Sequence, residues 1–298
     1  MPDIKTTLVT GSSGQLGQSL NSIAHNYPDY AFTFANRVDL GLSNEKSIAF
    51  FFKNHQFDLI INCAAHTAVD KAESEPKLAD KLNHLAVKQL TELAKQQNTK
   101  PIYISTDYVF NGTQYLSYIE IDNVAPQSVT GEIKLKGKQA LLATLPNNGL
   151  IIRASRVYFD YGNNFVKTML RLGNERDVLN VIFDQVSAPT YAHDLAEAIV
   201  VIVENDSVKQ STFHSEVYHY SNEDVCSWYD LAKAIFELSK VSCEVSPVET
   251  KDYPILAARP HYSLLNKAKI KHCFNLFIAY WKGSLQHCLS KLSQQEYA

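Results

Sequence analysis

Short strands and helices alternate through the first half of this chain, and a glycine-rich turn follows its first strand. With 298 residues and 45% hydrophobic content, these observations predict an α/β fold: a doubly wound parallel sheet with a smaller, mixed C-terminal domain. Residues 5–10 (Lys-Thr-Thr-Leu-Val-Thr) read as a buried parallel strand, and a helix is expected from the glycine turn towards Ala24. A second strand is expected at 30–35, a crossover helix at 48–54, a third strand at 57–62, a helix at 79–96 and a fourth strand at 101–105. A helix at 134–145 and a strand at 149–153 continue the alternation. Beyond residue 150 the pattern loosens. Helices are expected at 164–172, 194–203 and 228–239, while 253–260, with two prolines, reads as loop. The expected division is mainly 1–150 and mainly 151–298, with later segments returning to the sheet more than once.

The formal charge is −3 and the pI about 6.4. No basic stripe or tail is present, which argues against nucleic acid as the main partner. Five scattered cysteines, none in C-x-x-C, predict reduced thiols, a cytoplasmic protein and no zinc site. The N-terminus passes from a short strand directly into glycine, so neither a secretory signal nor a membrane span is expected.

Gly11, Gly14 and Gly17 form G-x-x-G-x-x-G between the first strand and the following helix. Glycine permits the tight turn and the close approach of backbone to a pyrophosphate, and the opening helix offers unpaired N–H groups and a positive dipole end. A Rossmann-type dinucleotide site is therefore expected, with Gly11, Gly14, Gln15 and Leu16 against the cofactor. The spacing resembles that of the extended short-chain dehydrogenase/reductases, in which a strand end such as Asn62-Cys63-Ala64-Ala65 lies beneath the adenine side or ribose. Arg37 follows the second strand, where a cation can meet a 2′-phosphate; its other reading is a solvated charge. Asp39 lies close enough to compete for a ribose. The cofactor expected is NADPH or NADH, with a slight lean to NADPH.

Several longer strings resemble one family, the dTDP-4-dehydrorhamnose reductases. They are Ala64-Ala65-His66-Thr67-Ala68-Val69-Asp70-Lys71-Ala72-Glu73, Ser105-Thr106-Asp107-Tyr108-Val109-Phe110, Gly162-Asn163-Asn164-Phe165-Val166-Lys167-Thr168-Met169-Leu170, Asp184-Gln185-Val186-Ser187-Ala188-Pro189-Thr190 and Arg259-Pro260-His261. The resemblance implies reduction of the C4 ketone of dTDP-4-dehydro-L-rhamnose to dTDP-L-rhamnose, for polysaccharide biosynthesis. It also suggests a homodimer. By motif, the family's catalytic Thr, Tyr and Lys fall on Thr106, Thr130 and Lys134. Cofactor contacts fall on Ala64, Ala65, His66, Thr67 and Lys134. Nucleotide-sugar contacts fall on Thr106, Asp107, Arg156, Asn164, Phe165, Lys167, Gln185, Pro189 and Arg259.

Position 130 departs from the pattern. Hydride addition leaves negative charge on the ketone oxygen, and a phenol beside a lysine can donate a proton as that charge appears. Threonine keeps a hydroxyl but is a far weaker acid and shorter. A water held by Thr130 and Lys134 could supply the proton, and Tyr108 or Tyr118 could substitute if the fold brings either near C4. Arg156 stands where the family has tryptophan, either gripping a more acidic substrate or filling the sugar pocket. Ser187 stands where the family has glycine, and Gly41 where an acidic residue opens a loop. Asn164 and Lys167 open a helix after a glycine turn, which suits a diphosphate; Arg259 suits either a diphosphate or a domain-bridging ion pair. Two rivals stay open: a reductase or epimerase for another nucleotide sugar, and a catalytically impaired cofactor-binding regulatory protein. The hydride step needs no metal, and the metal requirement stays open.

Overall fold

The computed structural model describes residues 4–209 and 213–296. The chain runs β1 (Lys5–Thr10), α1 (Gln15–Ile23), β2 (Tyr30–Ala35), α2 (Glu45–Asn54), β3 (Leu59–Asn62), α3 (Val69–Ser74), α4 (Pro76–Asp80), a π-turn (Lys81–Leu85), α5 (Ala86–Gln97), β4 (Lys100–Thr106), α6 (Val129–Thr144) and β5 (Leu150–Ala154). It continues through β6 (Val157–Tyr158), α7 (Phe165–Glu175), β7 (Val178–Ile182), β8 (Val186–Ser187), β9 (Thr190–Tyr191), α8 (Ala192–Glu204), α9 (Asp206–Lys209) and β10 (Glu216–Tyr220). The last elements are β11 (Cys226–Ser227), α10 (Trp228–Ser239), β12 (Glu244–Val248), α11 (Ala268–Phe274) and α12 (Trp281–Glu296).

Six strands form one parallel sheet in the order β10-β5-β4-β3-β1-β2. The strands are apolar on both sides because helices cover both faces. Val9, Ile61, Ile102 and Ile152 pack with Leu16 and Leu20 of α1 and Leu195 and Ile199 of α8. On the other face Leu8 and Ile60 meet Ile48 and Phe52 of α2 and Leu90 of α5. Tyr103 and Ile151 meet Leu141 of α6. The strand order reverses at β1, between β2 and β3. The crevice at the C-terminal ends of the strands is the place for a ligand in such a sheet.

The second lobe is a separate core built from discontinuous chain. Tyr158, Val166, Met169, Leu179 and Val181 pack with Leu231, Ile235, Phe236 and Val245, and with Trp281, Leu285 and Leu289 of α12. Its strands form two-stranded ladders, β12-β7, β11-β8 and β6-β9. Ser227 and Asp230 close a reciprocal capping box that starts α10.

Three expectations are adjusted. The helix expected over 79–96 is α4 and α5 joined by the π-turn, and Asn83 lies in that turn. The helix expected from Lys134 begins at Val129, because Ser128 Oγ accepts the Gly131 N–H at 3.3 Å and fixes an earlier start. Among the described residues β10 is the one later strand that rejoins the large sheet; α8 and α11 return as helices packed on its core.

Candidate active site

The cofactor side is set by the turn from β1 into α1. Gly11 has φ +65°, and a Cβ there would lie 2.6 Å from Ala64 Cα. Both the left-handed backbone and the contact with β3's end require glycine. A Cβ on Gly17 would collide with the Gly11 carbonyl and Ser12. Gly14 is the N-cap of α1 with no side-chain cap, so the first turn, opening with Gln15, Leu16 and Gly17, faces the crevice with no capping side chain over it. Thr10 Oγ1 donates to Asn62 Oδ1 at 2.7 Å and ties the ends of β1 and β3 together. Arg37 is exposed beyond β2. Asp39 instead accepts the Asn36 N–H at 3.0 Å in a local turn.

Ala64, Ala65, His66 and Thr67 follow β3. Sequence reasoning missed what holds them. The Asn83 amide accepts the His66 N–H and donates to the His66 carbonyl, both at 2.9 Å. Asn83 is 1% exposed, and its own carbonyl accepts the Tyr103 hydroxyl at 3.0 Å. A side-chain amide that replaces a backbone partner in both directions satisfies both peptide groups of His66.

Thr106 ends β4 and caps the turn at 107–109. Its Oγ1 accepts the Tyr108 N–H at 3.2 Å and donates to Asp107 Oδ1 at 3.1 Å. Asp107 is buried, and Ser263 Oγ donates to its Oδ2 at 2.6 Å. Burial pushes its carboxyl up to about 6, against hydrogen bonds from Ser263 and Thr106 and the charge of Arg156.

Thr130 and Lys134 lie one turn apart on α6, on one face. Thr130 Oγ1 is buried with no hydrogen-bond partner among the described residues. An orphaned hydroxyl at a crevice fits a site completed by a ligand. Lys134 Nζ donates to the Ile104 carbonyl at 2.7 Å and sits 4.9 Å above the Tyr103 ring. Burial brings its ammonium down to about 7, partly opposed by Cys63. Of the substitute phenols, Tyr118 is spent on structure. It donates to Asn111 Oδ1 at 3.1 Å, accepts the Gly112 N–H at 3.1 Å and stacks on Phe110 at 4.0 Å. Tyr108 is hydrogen-bonded to Arg259, with its phenol pushed up by burial and by Asp107.

On the sugar side Arg156 adopts φ +47°, in the left-handed region. Its two amino groups donate to the carbonyls of Gln185 (2.7 Å) and Cys226 (2.9 Å), and its guanidinium lies 4.2 Å over the Trp228 ring. Trp228 also meets Phe165, with ring centroids 4.6 Å apart. Gln185 is 2% exposed; its amide bonds Thr250 Oγ1 and Trp228 Nε1. Pro189 is buried. Asn164 caps α7 by accepting the Lys167 N–H at 3.1 Å, and its amide reaches Gln15 Oε1 at 3.2 Å, joining the two lobes. Lys167 Nζ reaches the Asp160 carbonyl at 3.4 Å. Arg259 makes a two-pronged pair with Asp70, at 2.7 and 3.1 Å. That is the domain-bridging arrangement, and it holds the Asp70 carboxyl below its usual range.

His193, Asp194 and Glu197 on α8 bring ligand atoms within 4.8 Å of one another, but Asp194 already accepts from Ser284 and Asn222. No helix among the described residues is long and apolar enough to cross a membrane.

A family model described as RmlD substrate binding domain matches residues 5–294. A dTDP-4-dehydrorhamnose reductase of Aggregatibacter actinomycetemcomitans is 37% identical over 287 residues, 94% of this chain and 97% of that one. A crystal structure of a dTDP-4-dehydrorhamnose reductase from Clostridium acetobutylicum superposes with TM-score 0.90 at 35% identity, covering 97% of this chain and 99% of that one. One from Bacillus anthracis, in complex with NADP, gives 0.89 at 33% identity, covering 96% and 99%. By sequence along nearly its whole length and by fold, the chain belongs to the dTDP-4-dehydrorhamnose reductase family.

Proposed function

We propose that the protein reduces the C4 ketone of dTDP-4-dehydro-L-rhamnose to dTDP-L-rhamnose with NADPH or NADH. The observation that carries this reading is a convergence at the C-terminal edge of one parallel sheet. What supports it is that the glycine turn, the 64–67 segment and Thr106 follow or end the neighbouring strands β1, β3 and β4, with Lys134 bonded to the Ile104 carbonyl, in a chain aligned along nearly its whole length with reductases of this name. A bound reduced nicotinamide supplies the hydride. Gly11, Gly14, Gln15 and Leu16 receive the pyrophosphate, Arg37 a 2′-phosphate, and Lys134 the nicotinamide ribose. Thr106 meets the ketone oxygen, and the proton arrives by a route other than a tyrosine at position 130.

On the substrate side, Asn164, Phe165 and Lys167 at the start of α7 receive the diphosphate and part of the sugar. Arg259 joins them by giving up part of its Asp70 pair. Asp107, Arg156, Gln185 and Pro189 shape the sugar wall. One observation favours a second reading, a nucleotide sugar with a further anionic group: the Arg156 guanidinium donates to two backbone carbonyls and, among the described residues, forms no ion pair with a carboxylate, Asp107 acting on it only as a neighbouring charge.

The test is NADPH and NADH oxidation by purified protein with dTDP-4-dehydrorhamnose, with product identification. Turnover above a no-enzyme control yielding dTDP-L-rhamnose is expected. Tight cofactor binding without oxidation would move the function to another nucleotide sugar or to a non-catalytic role.

A further inference from the structure

The hydrogen bonds around Thr106 carry an inference that rests on the reductase reading and deepens it. A threonine hydroxyl has one proton. Here it lies on the bond to Asp107 Oδ1 at 3.1 Å, while Thr106 Oγ1 accepts the Tyr108 N–H. An ionised carboxylate only accepts, so while Asp107 is charged the Thr106 proton is held away from a ketone oxygen. Protonation of Asp107 reverses that bond. The acid O–H then donates to Thr106 Oγ1, and the threonine proton is free to turn towards the sugar.

Asp107 suits this role in its surroundings. It is 2% exposed, sits directly behind the end of β4, and has both oxygens engaged by hydroxyls. Desolvation disfavours its charged form and brings its titration to about 6, close to working pH. The charged and titratable groups that face it are the Arg156 guanidinium, which opposes that rise, and the neighbouring Tyr108 phenol, which bonds Arg259. Two other hydroxyls are occupied, that of Tyr118 by Asn111 and that of Tyr103 by the Asn83 carbonyl.

We propose that Asp107 is the proton reservoir of the reduction, delivering through the Thr106 hydroxyl to the ketone oxygen. The ketone carbon gains the hydride with its electron pair, and the carbonyl π pair moves onto oxygen. That oxygen takes the Thr106 proton as the Oγ1–H bond breaks. Thr106 is restored by the Asp107 carboxyl proton, and Asp107 is left as carboxylate to be reprotonated from solvent. The nicotinamide is oxidised and the ketone reduced.

The experiment is a pH profile of kcat and KM for wild type, Asp107→Asn and Ser263→Ala. It is paired with a carboxyl-carbon NMR titration of the cofactor-free proteins labelled at aspartate. Wild-type kcat/KM should fall above pH about 6. In Asp107→Asn the amide still donates to Thr106 but holds no transferable proton. kcat should drop by roughly 10²-fold or more, well beyond any change in KM, and the limb that falls above pH about 6 should vanish. Ser263→Ala removes a hydrogen bond that favours the carboxylate, so the limb should move alkaline by about one pH unit. The NMR titration should show one carboxyl with a midpoint near 6 that is missing in Asp107→Asn.

Wild-type kcat and an unchanged limb in Asp107→Asn would overturn the proposal and assign the proton to a water on Thr130 and Lys134. An unmoved limb in Ser263→Ala would overturn it as well. If Asp107→Asn fails to fold, Ser263→Ala and the wild-type NMR midpoint decide. A wild type that binds NADPH but never oxidises it with this sugar would overturn the reductase reading instead, which the NMR titration does not depend on.

Discussion

The two halves of the crevice are built from different materials. On the cofactor side the shape comes from backbone: a glycine at φ +65° against Ala64, a helix start without a side-chain cap, and a peptide clamped by Asn83. On the reaction side it comes from side chains that cross long stretches of sequence, Asp107 to Ser263, Arg156 to Gln185 and Cys226, and Arg259 to Asp70. Backbone geometry tolerates no substitution where glycine is required, as at Gly11 and Gly17. Side-chain networks can be rewired, and Thr130 and Arg156, which by sequence stand apart from the resembled pattern, fall in the reaction half.

The sharpest break of the cofactor half is Gly11→Ala. A methyl group 2.6 Å from Ala64 Cα, on a left-handed backbone, must displace the turn or the end of β3. The strain is about 1–3 kcal/mol, and NADPH affinity by fluorescence titration should fall more than about tenfold. In the reaction half, Arg156→Ala removes two charge-assisted hydrogen bonds and the stack on Trp228. It also leaves an alanine at φ +47°. A loss of about 3 kcal/mol in unfolding free energy is expected from denaturant titration.

Lys134 joins the halves, and its linkage has a definite sign. Burial lowers its folded pKa to about 7, whereas the unfolded chain keeps the ordinary lysine value. Between those values the unfolded state binds more protons, so this residue makes cofactor-free stability rise with pH above about 7. Lys134→Met should flatten that rise in denaturation curves measured from neutral to alkaline pH. A smaller effect belongs to Arg37→Ala: affinity for NADPH should weaken by about tenfold with NADH affinity unchanged, the loss of one charge-assisted phosphate contact. Equal losses for both cofactors would place Arg37 elsewhere than at a 2′-phosphate.

Much of the cofactor half was legible in the sequence because its signals are local. A strand, three glycines and a helix start lie within residues 5–17, and the alternation of elements fixes the sheet that presents them. The start of α6 was not, since the run from Val129 to Ile133 contains Gly131 and lacks a clear apolar period; the Ser128 cap sets it. Asn83, Ser263 and Asp70 were missed as partners for a different reason. Each acts on a residue 17 to 189 positions away, and no local spacing encodes such a pairing. The second lobe shows the same limit. Its core gathers segments from Tyr158 to Leu289 around chain that belongs to the sheet.

The most direct test of a backbone-built cofactor half joined to a proton route without a tyrosine at position 130 is single-turnover oxidation of bound NADPH by dTDP-4-dehydrorhamnose, in wild type and Thr130→Tyr. The account predicts oxidation by the wild type, with NADPH affinity the same in both and a faster rate in Thr130→Tyr, where a phenol joins Lys134. NADPH held tightly by both proteins and oxidised by neither would contradict it.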